Sequence, residues 1–176
     1  MSDTEKPTPI ENPSRPLWVA SMFDPALNTD KGTPGFDAGL AYIRTRSIAD
    51  LAKIPRAEGM VPVLVELAPL TPASRAAALA LQSASQRHLA AVQYSARRVM
   101  VQPWQVSAGA IEGPAEDLDT TTAGPWPILT EKGAARLLEL LGGEALDELG
   151  SLAIQRATIH PRALAPFRLP SPSGGG

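Results

Sequence analysis

The sequence predicts a mainly α fold with a minor β element, an α+β class: a small helical domain with a long amphipathic helix, a C-terminal helix pair and disordered ends. Three observations predict it. Leu70-Thr71-Pro72 places a capping residue and a proline ahead of a long Ala- and Leu-rich stretch. Ala134, Leu137, Leu138 and Leu141 repeat at helical spacing until Gly142-Gly143 stops them. Pro7, Pro9, Pro13, Pro16, Pro25 and Pro34 punctuate the N-terminal part, each fixing φ and removing an amide donor.

Taken in order, residues 1–37 read as a proline-rich disordered arm, residues 38–160 as one helix-rich domain, and residues 161–176 as a flexible tail. Within the arm, Leu17, Trp18, Val19, Met22 and Phe23 form an apolar knot that either folds back onto the domain or docks on another protein. AGLAYIRTR from Ala38 reads as a short strand, and Ser47 caps a brief IADLAKI helix that Pro55 ends. A strand is expected from Val63 to Leu67, with Pro62 implying an edge position or a late start.

A long helix is expected from Thr71-Pro72 through Val99. Ala77, Leu81, Ala84, His88, Val92 and Val99 would lie on one face, with Arg75, Gln82, Gln86, Gln93 and Arg97 on another. Periodicity then lapses, so about 103–128 reads as a long surface loop anchored by Trp104 and Trp126. Thr130-Glu131 opens the next helix. The last runs from Glu144 to Thr158, acids at its start and Arg156 at its end, until His160-Pro161 closes it.

The 176 residues suit one domain, but aromatics are only 5% and much of the 44% hydrophobic content is Ala, so the core should be thin. A net charge of −2 gives no overall reason to bind nucleic acid or anionic lipid. The acidic, proline-broken start is unlike a secretory signal, and no apolar run approaches the roughly 20 residues of a membrane span. With no Cys, thiol catalysis and Cys-ligated metals are excluded.

No catalytic, cofactor or metal site is expected. His88 and His160 lack the spacing that puts two imidazoles on one helical face, and no phosphate-binding glycine motif occurs. Ser85 and His88 share a helix, yet nothing in the sequence specifies the third group that would orient a nucleophile and base. Glu112, Glu116, Asp117 and Asp119 lack calcium-loop spacing and read as a solvated loop, with recruitment of a basic partner as the alternative. Candidate partner-binding residues are Leu17, Trp18, Phe23, Leu81, Leu89, Val92, Trp104, Leu137, Leu138 and Leu141.

The order of elements over about Ala41 to Phe167 carries a resemblance. IRTRSIADL is followed by VPVLVELAPLTP running into a helix, a Trp-bearing loop, PWPILTEKGAARLLELL and EALDELGSLAIQRATI. This layout resembles the small tail assembly chaperones and related tail-cluster proteins of long-tailed bacteriophages and prophages. The resemblance implies a non-enzymatic cytoplasmic chaperone or adaptor. Its partner would be the tape-measure protein, kept soluble until tail tube subunits polymerise around it. It carries over no catalytic residues, and the arm before Ala38 is longer than that layout requires. Two alternatives stand beside it: a virion structural component such as a connector or minor tail protein, and a small enzyme whose site joins residues distant in sequence. A homo-oligomer is compatible with the same faces.

Overall fold

The computed structural model describes residues 15–27, 30–55, 61–122 and 124–158. The disorder expected of residues 1–14 and 161–176, and the stop at His160-Pro161, lie outside them. Strand β1 (Leu17–Ala20) comes first, so the knot at Leu17 is part of the domain. Thr33 then caps α1 (Pro34–Thr45), accepting the Phe36 amide at 3.3 Å while Pro34 sits where no amide is required. The strand expected through AGLAYIRTR is therefore corrected to helix: Thr33-Pro34 is the same start signal as Thr71-Pro72, and Gly35, Gly39 and Tyr42 form a buried helical stripe. Helix α2 (Ile48–Ala52) follows, capped as expected by Ser47.

Strand β2 (Leu64–Leu67) begins past Pro62. Thr71 caps α3 (Pro72–Leu79), accepting the Ser74 amide at 3.0 Å. The long helix expected through Val99 is corrected at this point. Ser83 and Gln86 form a reciprocal capping box that starts a separate helix, α4 (Ala84–Ser95). The chain then passes directly into β3 (Ala96–Met100), whose Val99 and Met100 are buried on opposite faces of the sheet.

The loop expected at 103–128 is also corrected. Strands β4 (Gln105–Ser107) and β5 (Ala110–Glu112) form a hairpin whose turn residues Ala108 and Gly109 have φ of 49° and 77°, the doubly positive pattern of a tight two-residue turn. Strand β6 (Glu116–Asp117) joins β3, and β7 (Thr120–Thr121) pairs with β8 (Ile128–Leu129). Trp104 is buried, its indole donating to the Pro62 carbonyl at 2.9 Å, and Trp126 meets Tyr94 edge to face at 5.6 Å. Helices α5 (Glu131–Leu141) and α6 (Gly143–Thr158) complete the chain, capped and interrupted where the sequence indicated.

The main sheet runs β1-β2-β3-β6, all antiparallel, so β2 is central and Pro62 marks a late start instead of an edge. Leu17, Val19, Val65, Leu67 and Val99 face α4, α5 and α6, meeting Val92, Leu137, Leu146 and Leu149. Ala20, Leu64 and Met100 face the other way, onto Tyr42, Leu51, Ile54 and Trp104. Trp18, Glu66 and Arg98 form a polar row across three strands: Arg98 Nε donates to Glu66 at 2.8 Å and its guanidinium lies 5.3 Å from the Trp18 ring centroid. The fold is thus mixed α/β, with 47% of the described residues helical and 18% in strands, and the expectation of a mainly α domain with a minor β element is overturned. A sheet covered on both faces reads as short apolar runs that helical periodicity absorbs.

The outer edge of β1 is closed by α1. The Ala20 amide donates to Tyr42 Oη at 3.0 Å, and Arg46 Nη1 donates to the Ala20 carbonyl at 2.7 Å. Burial pushes the Tyr42 phenol up to about 12 from 10.0, against the smaller opposing effect of the Ala20 hydrogen bond. An unfolded chain would lose this proton first, so between pH 10.0 and about 12 the folded chain binds more protons and stability falls as pH rises. Tyr42→Phe should be less stable at neutral pH, by about 1–3 kcal/mol for the orphaned amide. It should also show a shallower alkaline loss, measured by urea unfolding at pH steps across that window.

Candidate docking groove

Helices α4 and α6 approach closely because Gly150 has no side chain: a Cβ there would stand 2.0 Å from the His88 carbonyl oxygen. Small residues extend this seam, with Ala78, Ala90, Ala91 and Ala153 buried together under Leu70. Helix α5 is tied to α6 by Gly142 alone, whose φ of 82° suits glycine. One core residue, Leu137, then points into the domain while its neighbour Leu138 points out and is 51% exposed.

Between the three helices lies an open groove of about 1150 Å³. Each helix contributes one stripe at helical spacing. Ser85, His88 and Leu89 come from α4, Glu131, Ala134, Ala135 and Leu138 from α5, and Glu144, Asp147, Glu148 and Ser151 from α6. The turn after β1 closes one end with Met22 and Phe23. Phe23 is 46% exposed and Leu89 44%, so large apolar side chains from α4, α5 and the β1 turn stand open to solvent in one place.

Polar contacts hold the walls. His88 Nδ1 lies 2.9 Å from Asp147 Oδ1, joining α4 to α6 across the rim. Arg46 pairs with Glu148 in a largely buried contact, and Glu148 Oε2 also accepts the Met22 amide at 3.4 Å, which fixes the turn carrying Phe23. Below that turn, Asp24 accepts the Ala26 and Val63 amides at 2.9 and 2.7 Å; burial raises its pKa against those two bonds.

Of the residues expected to bind a partner, Phe23, Leu89 and Leu138 line the groove. Leu17, Val92, Trp104 and Leu137 are core side chains. Trp18 is half-buried beside Arg98, Leu141 packs partly buried against the core, and Leu81 is exposed at the break after α3, away from the groove lining. Met22 and the acids of α5 and α6 were absent from that set. The signal for them was present: Glu144, Asp147, Glu148 and Ser151 recur at the i, i+3, i+4, i+7 spacing of one helical face.

Asp147 supplies the orienting carboxylate for His88 that the sequence left unspecified. Acyl transfer would further require a serine bonded to the imidazole, and the Ser85 hydroxyl makes no hydrogen bond among the described residues; the His88–Asp147 contact joins α4 to α6 at the rim. Of the acids near residue 116, Glu116 and Asp119 are engaged within the fold. Arg136 donates to both Glu116 carboxylate oxygens at 3.1 and 3.2 Å and holds this carboxyl below its usual range, while Thr130 donates to Asp119 at 2.6 Å. Among the described residues no three His, Asp or Glu side chains are grouped to hold a metal ion, and no helix is long and apolar enough to cross a membrane. No family model, curated protein or solved structure matches the chain.

Two substitutions test the construction of the groove. Gly150→Ala forces α6 off α4 and should cost about 3 kcal/mol, read as a lowered urea midpoint. Arg46→Met leaves the Glu148 carboxylate uncompensated and should cost about 3–5 kcal/mol. Restoring a neutral pair with Arg46→Met and Glu148→Gln should recover part of that loss, measured by the same unfolding curves.

Proposed function

We propose that this protein is a non-enzymatic chaperone or adaptor of phage tail assembly that holds a helical, tape-measure-like partner in the groove between α4, α5 and α6. One observation carries the reading: Phe23, Leu89 and Leu138, far apart in the chain, converge as exposed apolar side chains on a single open surface. A groove of this shape suits an amphipathic helix laid along it with its apolar face down. The reading also draws on the resemblance in layout, whose LxPLTP entry, LTE helix and final helix correspond to the Thr71-capped α3, the Thr130-capped α5 and α6. It draws no support from the undivided long helix and the Trp-bearing loop, both of which are broken by other structure. On this reading the protein acts in the host cytoplasm before tails are complete.

Co-expression with a long helical tape-measure chain should raise that chain's soluble fraction and co-purify the two. Phe23→Ser with Leu138→Ser should abolish both effects while leaving the unfolding midpoint within about 0.5 kcal/mol of its original stability, because the replaced side chains are half exposed. Absence of association would reject the reading. Recovery of the protein at fixed ratio in purified particles would replace it with the virion structural component.

A further inference from the structure

The groove carries a one-sided charge. Four carboxylates, Glu131, Glu144, Asp147 and Glu148, stand on its walls and rim, and among the described residues its lining contains no Lys or Arg. Two of them have partners within the fold: Asp147 is in hydrogen-bond contact with His88, and Glu148 is paired with Arg46 beneath the β1 turn. Glu131 and Glu144 are exposed and make no ion pair among the described residues. Each begins a helix, where the dipole favours an acid. The dipole does not explain why both acids face the same groove as Leu89 and Leu138.

We propose that the occupant is an amphipathic helix of a partner protein whose apolar stripe is flanked by Lys and Arg, an inference that rests on the docking role given to the groove above. The apolar stripe covers Phe23, Leu89 and Leu138, while flanking cations meet Glu131 and Glu144 at the rim. An acidic segment or a nucleic acid backbone would meet like charge there. At about 1150 Å³ the groove also exceeds the roughly 300–1,000 Å³ of pockets that enclose a small ligand, and it suits a macromolecular segment. Rim charges of this kind govern orientation and encounter more than the strength of the apolar contact.

The test uses the full chain and three synthetic helical peptides that share one leucine stripe and differ only in flanks of Lys, Gln or Glu. Binding is read by fluorescence anisotropy. Affinity should fall in the order Lys, Gln, Glu, with about a tenfold span between the extremes at low ionic strength that shrinks as salt is added. Glu131→Gln with Glu144→Gln should collapse the span while preserving the Gln-flanked complex, and Leu138→Ser should weaken all three.

Equal affinities, or preference for Glu flanks, would overturn the charge inference while leaving the docking role standing through the Gln-flanked peptide. Failure of all three to bind would overturn both. A dimer that Leu138→Ser dissolves, seen by sedimentation equilibrium, would make a second copy the occupant. Cross-links from residues 159–176 to the groove in the free monomer would make it this chain's own segment. Either result overturns the proposal.

Discussion

The backbone contact between α4 and α6 at Gly150 is the constraint on which the helical layer depends. With a Cβ position 2.0 Å from the His88 carbonyl, the two helices touch main chain to main chain. The alanines beside it, Ala90, Ala91 and Ala153, keep that seam narrow. Once α6 is fixed there, Leu146 and Leu149 reach the sheet, and Arg156 reaches the Arg15 and Leu67 carbonyls near β1 and β2. The single residue Gly142 then leaves α5 little freedom in where it packs. Leu137 takes the remaining core position, and Leu138, one residue on, has to face outward.

A second tie connects this layer to the far side of the sheet. Arg46 leaves α1 in a left-handed conformation with φ of 52°, closes the β1 edge through the Ala20 carbonyl and pairs with Glu148 of α6. Buried ion pairs of this kind add little net stability over an apolar pair, but losing one partner is costly. Their value lies in fixing geometry. Here the same carboxylate receives the Met22 amide, so the turn that presents Phe23 is positioned from α1 and from α6 at once.

Legibility in the sequence followed the locality of the signal. Caps at Ser47, Thr71 and Thr130 and the stop at Gly142 act within a few residues, and each was readable. Thr33-Pro34 and the Ser83-Gln86 box are equally local. Against them stand the proline density, which argues for a disordered arm, and the Ala-Leu content, which argues for an unbroken helix. Of the main sheet, β2 is legible as a β-branched apolar run at Val63–Leu67, whereas β1 lies within the proline-rich stretch and β3 continues straight from α4 with no turn to separate them. Of the groove, Phe23, Leu89 and Leu138 were legible as apolar residues. Their convergence depends on pairings such as β1 with β2 and on the seam at Gly150, which no local pattern announces.

Exposure of those side chains has a thermodynamic cost that helps to interpret them. Burying a leucine or phenylalanine fully contributes about 1.5–3 kcal/mol, and this core, short of aromatics and rich in alanine, has few such contributions to spare. Leu137, a single residue before Leu138, is buried, so the helix itself does not prevent apolar residues from being used internally. Polar residues at positions 23, 89 and 138 would cost the fold little, since each is about half solvated already. Folding alone therefore gives little reason for apolar side chains at these three positions. The proposed docking of a partner would supply one, and the acids at the starts of α5 and α6 would then give that partner a preferred charge.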